Sequence, residues 1–240
     1  MGTILFYKNI GSTNKMRKLF YAPILHSVAD LGSIASDVTS RGIKLIGPER
    51  WEKHLHTIDL FWDSIEDYFY DSNVKGLKIF QDSLVAEGET GEKIVNEAAA
   101  RGSRNYTIIR DLIGKGAKIM KTEELSLVKR EVIYISELTK SKNLIKKIIA
   151  YLHYKSSKGR LLKERDEFIA KTINESLGEG ETGVLFLGAF HDVVPKLAKD
   201  IKVIELKEKE NVAQYQKIYY LKTKEKEASE LSEYLTTPIK

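Results

Sequence analysis

The chain has 240 residues, of which 42% are hydrophobic and 30% charged, and its formal net charge is +5. These values are typical of a globular protein that is large enough to bury a hydrophobic core. The absence of cysteine excludes disulfides, thiolate nucleophiles and cysteine-ligated zinc or iron–sulfur sites.

The lysines are interspersed with glutamates and do not form a basic block with interleaved aromatic residues, so we expect no nucleic-acid partner. No apolar run approaches the roughly 20 residues of a membrane span. The N-terminal apolar run is also too short for a secretory signal peptide. The sequence therefore predicts a cytoplasmic protein with no membrane partner.

The first half of the chain alternates between strand-like and helix-like segments. Strands are predicted at 3–7, 21–25, 77–80 and 117–120, and residues 8–18 are expected to form a loop. Pro23 indicates that the second of these strands is irregular or lies at an edge of the sheet. Helical spacing of apolar residues predicts helices at 27–42, 48–69, 90–100 and 106–113.

The second half begins with helical spacing at 124–154, a break at 156–159 and a further helix at 161–177. Four consecutive apolar residues, 184–187, then lie between two glycines, which is typical of a strand buried on both faces of a parallel sheet. A short helix at 193–198, a strand at 201–206 and charged helices at 209–235 follow. The pattern predicts a single α/β domain over 1–240, with a mostly parallel central sheet, helices on both faces, long charged helices and a helical insertion at about 124–178.

Polar side chains stand just beyond the carboxyl ends of four predicted strands. They are His26; Asp82, with Glu87 and Glu89 close behind it; Glu123; and His191 with Asp192. If the strands are parallel, right-handed crossovers bring these ends to one edge of the sheet. Ligands of open α/β sheets bind in the crevice at that edge.

Two neutral imidazoles and one or two carboxylates can coordinate a divalent cation and leave a position open for water, which becomes nucleophilic near neutral pH. His26 and His191 are therefore candidate metal ligands. Asp30 lies about one helical turn after His26, where it can face the same pocket or orient the ring. Asp82 or Glu89 is the candidate catalytic carboxylate.

Ordinary structural roles compete with each of these assignments. Asp30 can cap the following helix and Asp82 the following turn. Glu87 and Glu89 occupy a glycine-rich loop where solvent can surround them, and Glu123 can complement a helix dipole. Residues 102–105 are expected to form a turn with a helix N-cap rather than a phosphate site.

The segment from Arg160 to Asp166, together with Gly188-Ala-Phe-His191, resembles the C-terminal part of TraB/Tiki-type proteins of the PrgY/GumN-like groups. There a helix with an Arg-Asn or Arg-Asp pair precedes a strand that ends in Gly-x-x-His. The nearest match to the family's early Gly-x-x-His is Pro23-Ile-Leu-His26, in which proline replaces glycine. The resemblance covers about residues 160–206 and implies an α/β fold shared with erythromycin-esterase-like and ChaN-like proteins.

The resemblance also implies a hydrolase that depends on a divalent metal such as Mn, Zn or Co, and that cleaves a peptide or small-molecule substrate. Arg165 would then stabilise negative charge that develops on the substrate, although its charged neighbours also suggest a surface ion pair. One alternative is a non-catalytic module of the same fold that binds a small ligand or haem. Another is an interaction module that uses the long charged helices, which are also a candidate surface for a homodimer.

Overall fold

A single parallel sheet forms the centre of the protein. The computed structural model describes residues 16–140 and 144–239, so the strand predicted at 3–7 lies outside the described residues. The sheet has five strands, all parallel, in the order β3-β2-β4-β1-β5. The strands are β1 (Arg17–Ile24), β2 (Lys78–Gln81), β3 (Lys118–Met120), β4 (Thr182–Gly188) and β5 (Ile201–Glu205).

Eight α-helices connect and flank these strands in the described part of the chain. They are α1 (Ala35–Ile46), α2 (Pro48–Tyr70), α3 (Gly88–Ala100), α4 (Arg104–Gly114), α5 (Leu125–Lys140), α6 (Leu144–Ser176), α7 (Lys209–Ile218) and α8 (Glu225–Thr236). Short segments of 3-10 helix lie at Val28–Ile34, with a kink at Gly32, and at Val194–Lys196 and Lys222–Lys224. The predicted α/β class, with a parallel sheet and long charged helices, is confirmed.

The sheet is buried on both faces because its central strand is apolar throughout. Successive side chains of a strand point to opposite faces. Val184 and Phe186 belong to the larger core, with apolar residues of α2, α3, α4, α7 and α8. Leu185 and Leu187 belong to a second core, formed with α6. The continuous apolar run of β4 is therefore the direct cause of the two-sided packing.

The strand predicted at 21–25 is longer than expected and lies inside the sheet, between β4 and β5. It begins at Arg17, in a region predicted to be a loop, because the Arg17 side chain is tied to Asp200 (Nε–Oδ2, 2.7 Å) and to the end of α6. Pro23 is tolerated because the pairing with β5 ends at Tyr21, so position 23 pairs on one side only. Of the two predicted alternatives, an irregular strand or an edge strand, the edge position is wrong.

Two further local predictions are wrong. The break predicted at 156–159 is absent, since α6 runs without interruption through Gly159, and a single glycine costs a helix only about 1 kcal/mol. The helix predicted at 193–198 is reduced to one 3-10 segment, after which the chain turns directly into β5.

The C-terminal half of α6 is part of the main fold. Leu161, Ile169 and Ile173 are buried, as is Leu177 just after the helix, and the last three pack in the second core. The helix also contacts α5 through the ion pair between Arg130 and Glu164 (Nη1–Oε2, 2.5 Å). None of the helices in the described part combines the length and the apolar character that crossing a membrane requires.

Candidate functional site

A cavity of about 560 Å³ opens at the edge of the sheet where β1, β2 and β4 end. Its wall includes the predicted site residues His26, Asp30, Asp82, Arg165 and His191, and also Gln81, Ser103, Asn105 and Glu131. The parallel arrangement brings together groups from the beginning, middle and end of the chain. Glu89 is not in this wall, since it is exposed in the first turn of α3.

Arg165 is the centre of a buried ion-pair network. Its guanidinium donates to both carboxylate oxygens of Glu123 (2.6 Å from Nε, 2.5 Å from Nη2). It also donates from Nη2 to Asp82 Oδ1 (2.7 Å) and from Nη1 to Glu131. Burial alone would lower the pKa of Arg165, but the hydrogen bond to Glu123 and the surrounding negative charges raise it above its ordinary value. Arg165 is therefore a permanent internal cation and not a surface residue.

Asp82 is held from two sides at the end of β2. Arg165 and the Ser83 hydroxyl (3.0 Å) donate to its Oδ1, and the backbone N–H of Gly188 donates to its Oδ2 (3.2 Å). Burial would raise the pKa of Asp82, but the positive charges of His191, Arg165 and His26 outweigh it and hold the pKa below the usual range. The carboxylate is therefore ionised at the cavity wall.

His191 forms a close pair with Asp166, which lies on α6 beside Arg165. Its Nδ1 is 2.6 Å from Asp166 Oδ1, while the other carboxylate oxygen accepts the backbone N–H of Asp192 (2.9 Å). His191 Nε2 lies 3.8 Å from Asp82 Oδ2. Burial alone would lower the pKa of His191, but the hydrogen bond to Asp166 and the charge of Asp82 raise it above its ordinary value.

The opposite wall is a chain of polar side chains from three elements. Asp30 accepts the backbone N–H and the hydroxyl of Ser27 at Oδ2 (2.7 and 2.9 Å), and the Ser103 hydroxyl contacts its Oδ1. Ser103 also lies 2.7 Å from Asn105 Oδ1, and Asn105 Nδ2 donates to Gln81 Oε1 (3.2 Å). These contacts give Asp30 the capping partner expected from the sequence and fix the wall of the cavity.

His26 is the least constrained of the predicted residues. Its side chain is 53% exposed, and its Nδ1 lies 4.0 Å from Asp30 Oδ2, which is too long for a hydrogen bond. The ring can therefore reorient at the mouth of the cavity.

Asp166 was not among the residues predicted for the site. A signal was present, since Leu161, Ile169, Ile173 and Leu177 recur at helical spacing and Arg165 stands in the same row. The apolar side of a helix packs against the rest of the protein. A charged pair on that side is therefore buried too and needs charged partners in the interior.

No family model, no characterised protein and no solved structure matches the chain significantly. The resemblance to TraB/Tiki-type proteins, and the activity it implies, therefore stay predictions.

The side chains at this edge do not fit a metal ion well. Among the described residues, no group of three His, Asp or Glu side chains is arranged to hold one. Asp82 already pairs with the guanidinium of Arg165 at 2.7 Å. Asp30 already accepts hydrogen bonds from Ser27 and Ser103. A cation beside Asp82 would also face the positive charge of Arg165. Arg165, Ser27 and Ser103 therefore already satisfy the carboxylates of Asp82 and Asp30.

Proposed function

We propose that the protein hydrolyses small esters or amides, short peptides included, that bind in the cavity at the carboxyl edge of the sheet. The observation that carries the proposal is the pair of His191 and Asp166, whose geometry fixes Nδ1 and leaves Nε2 for the cavity. Asp166 plays the part of a carboxylate that orients an imidazole for proton transfer. The volume of about 560 Å³ is in the range of small-molecule sites.

In the proposed reaction, a water molecule within reach of His191 Nε2 and Asp82 Oδ2 attacks the carbonyl carbon of the substrate. His191 accepts the proton of that water, and the imidazolium is stabilised by Asp166 and Asp82. His191 then returns the proton to the leaving oxygen or nitrogen as the bond to the carbonyl carbon breaks. Arg165 keeps Asp82 ionised and in place, since its N–H groups are engaged by carboxylates.

The experiment measures hydrolysis of methyl esters, primary amides and dipeptides by the wild-type protein and by a His191→Gln variant. General-base catalysis contributes about 10²- to 10⁴-fold, so we expect a loss of at least 100-fold in kcat/KM. His56→Gln is the matched control, because His56 is on α2 and outside this cavity. We expect it to keep kcat/KM within twofold of the wild type.

The pH profile gives a second test of the same proposal. A base whose pKa is raised is available only at higher pH, so kcat/KM should rise through an inflection above the ordinary histidine value of 6.5. A wild-type protein that binds small ligands in the cavity but cleaves none of these substrates would overturn the proposal. That result would instead favour the non-catalytic binding module.

A further inference from the structure

A groove of about 290 Å³ lies between α2 and α8. Arg50 and Lys53 line it from α2, and Ser229 and Ser232 line it from α8. None of these four residues lines the cavity of His191. The volume is close to the lower end of the range for small-molecule sites. The groove is therefore a candidate site of its own for a small ligand.

The side chain of Arg50 is held in a fixed orientation at this groove. Its Nη2 donates to the carbonyl oxygens of Tyr219 (2.8 Å) and Leu221 (3.3 Å), which follow α7. Its guanidinium carbon lies 5.5 Å from the centre of the Tyr219 ring, and the Tyr219 hydroxyl donates to the backbone carbonyl of Arg50. The guanidinium is therefore ordered before a ligand arrives, which lowers the entropic cost of binding.

Two of the three guanidinium nitrogens of Arg50 have no acceptor. Among the described residues, no carboxylate pairs with Arg50, and its Nε and Nη1 make no hydrogen bond. Neither nitrogen is among the buried polar atoms that lack a partner, so both are accessible. Contact with the end of α7 explains the orientation of Nη2 but leaves these N–H groups unused. They are available for charge-assisted hydrogen bonds to an anion.

The permanent charges around the groove also favour an anion. Lys53 lies one helical turn after Arg50 on the same side of α2. It pairs with Glu49 at 3.0 Å, but the two side chains are 74% and 84% exposed, so water screens that pair. In the described part of the chain, Glu225 is the one carboxylate in the wall of the groove, and it forms no ion pair with either cation.

Hydroxyl groups from both helices also line the groove. The Thr57 hydroxyl donates to the carbonyl oxygen of Lys53 (2.8 Å), and Ser232 Oγ lies 2.7 Å from Thr57 Oγ1. Since Thr57 has a single hydroxyl proton, Ser232 has to donate its own proton to Thr57, and Ser232 Oγ keeps only lone pairs. Ser229, three residues earlier on α8, is exposed in the same wall. A ligand that carries hydroxyl groups therefore finds acceptors here.

We propose that the groove binds a small phosphate monoester that carries hydroxyl groups. The phosphate lies at Arg50 and Lys53, and a hydroxyl of the ligand donates to Ser232. A phosphate monoester has between one and two negative charges at neutral pH and three acceptor oxygens, which match the N–H groups of a fixed guanidinium and a lysine. The site is separate from the cavity of His191, so this proposal does not depend on the hydrolase function.

The binding experiment is calorimetric titration of the whole protein with glycerol 3-phosphate, inorganic phosphate, glycerate and glycerol. We expect glycerol 3-phosphate to bind about fivefold more tightly than inorganic phosphate, because it adds hydroxyl groups. Glycerate, with a singly charged carboxylate in place of the phosphate, should bind about tenfold more weakly than glycerol 3-phosphate. Glycerol alone should not bind at the same concentration. Equal binding of glycerate and glycerol 3-phosphate would overturn the assignment to phosphate esters.

Four variants locate the bound phosphate. Arg50→Lys keeps the charge but removes the guanidinium donors, so it should weaken glycerol 3-phosphate about tenfold. Lys53→Gln should weaken it about threefold, and Glu225→Gln should strengthen it about threefold, because each changes the charge around the anion. Arg41→Gln is the matched control, since Arg41 is an exposed residue of α1 outside the groove and its loss changes the net charge as Lys53→Gln does.

Opposite effects at Lys53 and Glu225 are the signature of a site in this groove. Both residues are exposed, so their variants decide the outcome even if Arg50→Lys does not fold. The site is overturned if glycerol 3-phosphate does not bind the wild type, or if Lys53→Gln and Glu225→Gln leave its affinity unchanged. It is also overturned if Arg41→Gln weakens binding as much as Lys53→Gln does, because the affinity would then follow the net charge of the protein and not the groove.

Discussion

His191 Nδ1 and Asp166 Oδ1 lie 2.6 Å apart, although 25 positions separate the two residues in the chain. One residue follows β4 and the other is on α6, whose C-terminal half packs on the face of the sheet that β4 helps to form. The pair therefore exists only when the helix is docked on the sheet. Its geometry is a product of the fold and not of local sequence.

Replacing Asp166 by asparagine removes the charge that raises the pKa of His191 and keeps the size of the side chain. We expect the pKa of His191 to fall, as measured by NMR titration of its ring protons, and kcat/KM to fall by about 10²- to 10⁴-fold. Asp192→Asn is the control, since Asp192 is the exposed neighbour of His191 and pairs with Lys196. An unchanged pKa of His191 in Asp166→Asn would contradict the pairing.

Removal of Arg165 should destabilise the protein strongly, because Asp82, Glu123 and Glu131 would lose their common cation. Breaking a buried ion pair by removing one partner typically costs about 3–5 kcal/mol, and we expect a loss of this size for Arg165→Met in urea unfolding at pH 7. Arg160→Met should cost less than about 1 kcal/mol, since Arg160 is 71% exposed on the same helix.

A double variant tests whether uncompensated charge is the cause. Burial raises the pKa of Glu123 and Arg165 opposes it, so the orphaned carboxyl should favour its protonated form. Arg165→Met combined with Glu123→Gln is therefore expected to recover part of the lost free energy of unfolding. If the double variant were less stable than Arg165→Met alone, lost packing rather than charge would explain the effect.

The strand that organises the sheet was predictable because its signal is local. Four consecutive apolar residues between two glycines, 184–187, are typical of a strand inside a sheet covered on both faces. A second local pattern predicted the position of His26, Asp82 and His191. Each follows a strand, and the carboxyl ends of parallel strands meet at one edge of the sheet. The structure places all three in the wall of one cavity.

The partners of these residues were not predictable in the same way. Arg165 stands between Glu164 and Asp166, and that local context suggests a solvated ion pair. Its burial depends on which side of α6 faces the sheet, and this is decided by apolar residues one or more turns away. The wall formed by Ser103 and Asn105 has the same origin, because a turn and N-cap sequence does not reveal what packs against it.

Removal of metal ions tests two alternatives. Hydrolysis either depends on His191 as a base without a metal, or it depends on a bound metal ion, as the family resemblance implies. We expect protein purified without a His-tag and dialysed against EDTA to keep its ester hydrolysis rate within twofold, because the positive charge next to Asp82 is supplied by Arg165. Stoichiometric Mn, Zn or Co that restores a lost rate, and that is absent from a His191→Ala variant, would contradict this and support ligation by His26 and His191.

The buried ring of His54 should make the stability of the protein depend on pH. Burial lowers its pKa in the folded state to about 4, whereas the unfolded chain has the ordinary value of 6.5. Below pH 6.5 the unfolded chain therefore binds a proton that the folded protein does not, so stability falls as the pH drops from 6.5 to about 4. At 1.36 kcal/mol for each unit of pKa, the contribution over this window is about 3 kcal/mol.

The measurement is the free energy of urea unfolding at pH 7 and pH 4.5 for the wild type, for His54→Gln and for His56→Gln. A glutamine side chain does not titrate, so His54→Gln should lose less stability between the two pH values than the wild type does, whatever its stability at pH 7. His56→Gln should follow the wild type, because His56 is exposed. If His54→Gln and the wild type lost the same free energy, proton uptake by other groups would have to explain the acid sensitivity.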